Sequence, residues 1–229
     1  MGKVTIQKFT TKEPIIMIGY EAGVCRNVDT SDDEKNYKRG LECIENQHGR
    51  TFEFPDVYLT IEGYSARVIR EWYTHIGGLP TRLQASTRYI DYNDFSYIVP
   101  HKIEENEQAK KIYADIMENI SDAGQALEEL GVPREDSALI LPLGMETKIV
   151  CKHNMRNLID MSRQRMCSRA YWEYREMFHD LCAALSEYSE QWEYIVKTQF
   201  MPKCEYIGYC PEKRGCGRMH GKAGNNESN

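Results

Sequence analysis

Through the first third of the chain the apolar positions fall in short runs. Residues 3–8 (KVTIQK) and 14–19 (PIIMIG) read as short strands. Ser31, with Glu34 three residues later, makes a capping box and predicts a helix over 32–46. Residues 56–62 (DVYLTIE) alternate apolar and polar, the period of a half-buried strand. Ser65 caps a helix over 66–75, which Gly77-Gly78-Leu79-Pro80 stops. From Thr81 to Tyr92 no period is visible, and the segment reads as an ordered loop.

Further on the period lengthens. Ile112, Ile116, Ile120, Ala123 and Leu127 repeat at helical spacing and predict a helix over 105–130, ended by Gly131-Val132-Pro133. Leu139 to Leu143 is an apolar run, and Thr147 to Lys152 alternates like a strand. Asn154 is a good N-cap for a helix over 155–174. A further helix over 176–200 carries Leu181, Leu185, Tyr188, Trp192 and Ile195 on one side. The pattern suits one domain over 1–201, followed by a Cys-rich extension over 202–229 whose polar end reads as disordered. There is no βαβ rhythm, no Gly-x-Gly-x-x-Gly after a strand and no Walker-type loop, so the common nucleotide folds are excluded.

Composition narrows the classes. A chain of 229 residues, 41% hydrophobic and 10% aromatic, has enough apolar material for a core and is not wholly disordered. The formal net charge of -6 argues against a duplex nucleic-acid binder, yet a local arginine cluster can still hold a small phosphate ligand. No apolar stretch is long enough to span a membrane, and MGKVTIQKF lacks the apolar core of a signal peptide. A cytoplasmic protein is expected, with its eight cysteines as thiols or metal ligands rather than disulfides.

Four groups of residues carry candidate chemistry. Arg82-Leu83-Gln84-Ala85-Ser86-Thr87-Arg88-Tyr89 packs guanidinium, amide and hydroxyl donors as a phosphate monoester requires, or is a solvated turn. Arg156, Asp160, Arg163, Arg165 and Arg169 follow Asn154 on the predicted helix, either as an anion site or as an ion-pair network completed by Asp160 and Glu173. A lone histidine is more often structural than catalytic, and His48 and His75 stand out only by position, one after a helix and one at a helix end before Gly-Gly. Cys204, Cys210, Cys216 and His220 offer thiolate and imidazole ligands for zinc, without the usual short Cys-x2-Cys pair. The other cysteines, at 25, 43, 151, 167 and 182, read as buried thiols, none with a local histidine to make it a nucleophile.

Read together, Leu141-Pro142-Leu143, Thr147, Asn154-x-Arg156-x-Leu158, Arg165 and Ala170-x-Trp172-Glu173-x-Arg175 resemble the flavin-dependent thymidylate synthases, the ThyX family, in order and spacing. Upstream, Ser86-Thr87-Arg88-Tyr89 is similar to the end of the family signature, and Glu71-Trp72-Tyr73 stands where the family has Gln-Trp-Phe. The resemblance implies an α+β fold, an antiparallel sheet with long helices, and active sites between the subunits of a homotetramer. It implies FAD as cofactor, dUMP as substrate, methylenetetrahydrofolate as carbon donor and NADPH as reductant, with no cysteine attacking the pyrimidine and no nucleic-acid or membrane partner. By position, Arg165 and Ser86 take the catalytic places. Glu71, Gln84, Ala85, Ser86, Thr87, Arg88 and Arg165 match dUMP-binding positions. His48, Thr74, His75, Ile76, Arg82, Gln84, Asn154, Met155, Arg156, Asp160 and Arg169 match or replace flavin positions.

The departures are specific. The family's Arg-His-Arg is Thr74-His75-Ile76 here, and the stretch to Ser86 is two residues longer, with Gly77-Gly78 inside it. Arg82 and Arg169 are candidates to replace lost cations, and Ala138 stands where an arginine precedes Leu-Pro-Leu. Flavin-dependent methyl or hydroxymethyl transfer to another pyrimidine nucleotide, and a non-catalytic zinc-containing homologue, stay open as alternatives.

Overall fold

A computed structural model describes residues 2–221. The strands are β1 (Lys3–Ile6), β2 (Asp56–Ser65), β3 (Thr81–Gln84) and β4 (Glu146–Asn154). The helices are α1 (Pro14–Cys25), α2 (Asp33–Glu45), α3 (Ala66–Trp72), α4 (His101–Glu104), α5 (Glu107–Glu129), α6 (Arg134–Ser137), α7 (Met155–Arg165), α8 (Trp172–Tyr188), α9 (Glu190–Gln199) and α10 (Lys203–Ile207). The strands form a small antiparallel sheet in the order β1-β2-β4-β3, and the expected α+β class holds.

The chain divides into two compact units, each discontinuous in sequence. One holds the chain up to Lys3, Ile61–Thr74 and Arg82–Val150. Within it α5 packs against α4 and α6, and Ser65 Oγ accepts from Val68 N (3.2 Å) to cap α3 as the sequence predicts. The other unit holds Val4–Thr60, His75–Thr81 and the chain from Cys151 onward. Its core is apolar and fully buried, with Ile15, Ile18, Ile44, Leu181, Leu185, Trp192 and Ile195. Trp192 Nε1 donates to Thr11 O at 2.7 Å, so the indole is buried without stranding its donor.

In this second unit α1 lies on α2 at backbone contact. A Cβ on Gly19 would fall 1.7 Å from Asn36 O, and one on Gly40 2.0 Å from Ile15 O. Only glycine permits that approach.

Several elements differ from expectation. PIIMIG opens helix α1 instead of forming a strand. A short apolar run does not separate the two, and the deciding contact is remote: Gln191 Oε1 accepts from Ile15 N (2.8 Å) and Ile16 N (3.3 Å), capping the helix from α9. The cap of α2 is Asp32, which accepts from Glu34 N and Lys35 N; Ser31 instead donates to Asp29. Helix α3 ends at Trp72, and Thr81–Gln84, expected as loop, is strand β3.

The α5 stripe is only partly covered: Ile112 and Ile116 are exposed and Ile120 and Leu127 half-buried, while Met117, off the stripe, is buried. The helix expected over 155–174 breaks after Arg165. Arg175 Nη1 holds Ser168 O at 3.1 Å across the break. The helix expected over 176–200 breaks at Ser189, an extended residue whose Oγ accepts from Trp192 N (3.3 Å) to start α9. Cys25 is exposed and Cys167 half-buried, whereas Cys43, Cys151 and Cys182 are buried as expected. The expected disordered end, 224–229, lies outside the described residues.

Candidate functional site

The site residues assemble in two groups, one in each unit. In the first, Ala85 N donates to Lys148 O (2.8 Å) and Gln84 Nε2 to Thr147 Oγ1 (3.4 Å), so β3 presents the loop from the edge of β4. Ser86 Oγ then accepts from Arg88 N at 3.2 Å and bends the chain. The Arg88 side chain is exposed and ion-paired to Glu135 Oε2 at 3.0 Å. Thr87 lines a cavity of about 20 Å³, room for a water and not for a nucleotide. Arg82 stacks on the Tyr73 ring (4.7 Å) and donates to Trp72 O (3.3 Å). Thr74 Oγ1 donates to Glu71 O (2.7 Å), closing the end of α3.

The second group gathers on α7. Asn154 caps it, its Oδ1 accepting from Asn157 N (2.9 Å). Arg156 pairs with Glu53 Oε1 at 2.6 Å, and its guanidinium lies against Gly49, beside the exposed His48. Met155 is fully buried and donates its N–H to Pro55 O, so its side chain is core. Ile76 is exposed. Arg165 ends α7, where a cation also meets the negative end of the helix dipole. Its Nε donates to His75 Nε2 (2.9 Å), and its guanidinium stands over the Tyr174 ring (4.4 Å). Asp160 pairs with Arg163 (3.2 Å), one of the ion pairs the sequence offered as an alternative. Arg169 is not on the helix with Arg165; it lies past the break and pairs with Glu212 (3.1 Å).

Asp160, Arg163, Arg165 and Arg169 line one pocket with Lys203 and Arg218, in a cavity of about 780 Å³. That volume suits a nucleotide-sized ligand. Five cationic side chains face it against two carboxylates, a balance that favours an anion. Arg163 stacks on Tyr206 at 3.8 Å, and its buried Nε has no hydrogen-bond partner among the described residues, an orphaned donor of the kind a ligand satisfies. This donor set fits a pyrophosphate-bearing flavin.

The cysteine tail reaches the same pocket. Cys204, Cys210 and Cys216 line it together with Cys167, and His220 is not among its lining. Among the described residues, no three His, Cys, Asp or Glu side chains stand close enough to hold a metal ion. The zinc set expected from spacing is therefore not assembled, because even spacing along a chain does not bring side chains to one point. Burial raises the Cys204 thiol, whereas the Ser168 hydroxyl and then Arg218 N–H lower that of Cys216. Sequence reading also missed Tyr174, whose buried ring lies two positions past Trp172 and carries no polar signature.

Fold and site thus define an α+β protein with a cation-lined, nucleotide-sized pocket at the end of a capped helix. The family described as "Thymidylate synthase complementing protein" matches residues 8–189, and the chain belongs to it. A flavin-dependent thymidylate synthase from Nitratidesulfovibrio vulgaris is 29% identical over 185 residues, covering 76% of this chain and 73% of that one. One from Thermococcus kodakarensis is 28% identical over 183 residues, covering 76% and 74%. One from Pyrococcus furiosus is 26% identical over 228 residues, covering 93% and 91%. No helix among the described residues is long and apolar enough to cross a membrane.

Proposed function

We propose that the chain is an FAD-dependent thymidylate synthase, methylating dUMP to dTMP with methylenetetrahydrofolate as carbon donor and NADPH as the source of reducing equivalents. Family membership supports the reaction class. The observation that carries the site assignment is Arg165, fixed at the end of α7 on the wall of the cation-lined pocket. Asn154, Arg156, Asp160, Arg163 and Arg169 are the residues that would hold the flavin, which when bound supplies the hydride.

Arg165 gives the pyrimidine a fixed cation beside the negative charge that develops when N3 loses its proton. A preoriented charge stabilises that state without reorganising solvent. Arg88 takes the nucleotide phosphate by exchanging the Glu135 carboxylate for it, and the bidentate geometry of guanidinium suits both partners. Ser86 shapes the loop through its bond to Arg88 N and keeps its own O–H to donate.

A homotetramer is proposed on the same family reading. The exposed Ile112 and Ile116 on α5 give an apolar face for a second copy. With all eight cysteines as free thiols, the protein suits a reducing compartment such as the cytoplasm.

The test is Arg165→Ala, assayed for dTMP by mass spectrometry at saturating FAD. Turnover is expected to fall about 10²–10³-fold with flavin absorbance retained. Near-normal turnover, or a product other than a methylated dUMP in the parent enzyme, would overturn the assignment.

A further inference from the structure

Arginine is a long side chain with much rotamer freedom, so its value as a fixed charge depends on what holds it. His75 and Tyr174 both hold Arg165. In the plane of the guanidinium, Nε donates to His75 Nε2 at 2.9 Å. Across its face lies the Tyr174 ring, 4.4 Å from the guanidinium carbon. The two holders also brace each other, with ring centroids 6.1 Å apart at an interplanar angle of 69°. Tyr174 is fully buried on α8.

His75 comes from a loop, and the loop is held lengthwise on α7 by its glycines. A Cβ on Gly77 would stand 3.2 Å from Asn157 Nδ2, and one on Gly78 2.4 Å from Asn154 Nδ2. Gly78 also has φ +71°, the left-handed region. The loop thus lies along the first turn of α7, with Gly78 against the N-cap residue Asn154 and His75 against the side chain of Arg165. These are the two glycines inside the stretch that exceeds the family spacing.

We infer that His75 and Tyr174 are positioning residues for Arg165, and that the Gly77-Gly78 step delivers His75 to it. His75 acts by accepting from Nε, which fixes the guanidinium plane and requires the neutral ring with its proton on Nδ1. Tyr174 acts through its ring face, which fixes the guanidinium height. The inference rests on the assignment of Arg165 as the cation that activates the pyrimidine.

The experiment compares steady-state dUMP kinetics at saturating FAD for His75→Leu, His75→Gln, Tyr174→Phe and Tyr174→Leu, each also in an Arg165→Ala background. His75→Leu is expected to lower kcat at least ten-fold with the KM for dUMP nearly unchanged. His75→Gln, which keeps an acceptor, recovers part of the loss. Tyr174→Phe keeps the ring and stays near the parent, whereas Tyr174→Leu loses turnover; if Tyr174→Leu fails to fold, the His75 pair and Tyr174→Phe still decide. In the Arg165→Ala background the His75→Leu loss disappears, since there is no guanidinium left to place. A His75→Leu loss that persists in full in that background, or parent-like kcat in His75→Leu, overturns the inference. Parent-like turnover in Arg165→Ala alone is a different failure and sinks the functional assignment instead.

Discussion

Gly78→Ala puts a single methyl group into the tightest contact of the His75 loop, and its cost is calculable. The backbone at Gly78 has φ +71°, which any L side chain resists by about 1 kcal/mol. The new Cβ would sit 2.4 Å from Asn154 Nδ2 and 2.9 Å from Oδ1, so the amide must move. That amide is the N-cap of α7, bonded to Asn157 N at 2.9 Å, and loss of such a cap costs about 1 kcal/mol. The two together give about 2 kcal/mol, a fall in Tm of about 4–8 °C for a chain of this size. The assay is thermal unfolding of the flavin-free protein, followed by circular dichroism. In an Asn154→Ala background the cap is already gone and the clash relieved, so Gly78→Ala should cost only the backbone part, about 1 kcal/mol. A Tm unchanged by Gly78→Ala, or strict additivity of the two substitutions, refutes the contact as the source of the effect.

Two further outcomes concern the thiols. Cys216 is held low by the Ser168 hydroxyl and by Arg218 N–H, so site-resolved mass spectrometry should find it alkylated by iodoacetamide at a lower pH than in Ser168→Ala. Equal pH profiles in the two proteins would exclude that hydrogen bond. Burial pushes Cys182 up to about 12 from the ordinary thiol value of 9.0. Between those values the folded chain keeps a proton that the unfolded chain releases, so Cys182 makes stability fall as pH rises. Urea midpoints taken on either side of pH 9 should fall less steeply in Cys182→Ala; an unaltered slope would contradict the burial.

The parts of the fold that were legible in sequence are those fixed by neighbours in the chain. Ser65 and Asn154 cap α3 and α7 because a side-chain oxygen three residues before the target N–H is a local arrangement. Strands β2 and β4 announced themselves through alternation, since one face of each is buried. The arginine and Ser86 loop were visible as a chemical set, and the family match over residues 8–189 agrees with the motifs that carried the resemblance.

What the chain alone left undecided turns on partners far away in sequence. The run PIIMIG became a helix because Gln191 caps it from α9, and no local pattern encodes a residue so distant. The apolar period on α5 predicted the helix but not its burial: Ile112 and Ile116 stay exposed while Ile120 and Leu127 are half-buried. Four cysteines met around one pocket without forming an ion site among the described residues, since regular spacing sets separation along the backbone and not convergence in space. The sequence determined which residue types were available: a guanidinium at 165, an imidazole at 75, a phenol ring at 174 and two glycines between a histidine and a phosphate-type loop. Tertiary structure alone decided that they meet, because hydrogen bonding and ring contact act over a few ångströms and depend on where α7, α8 and the loop are packed.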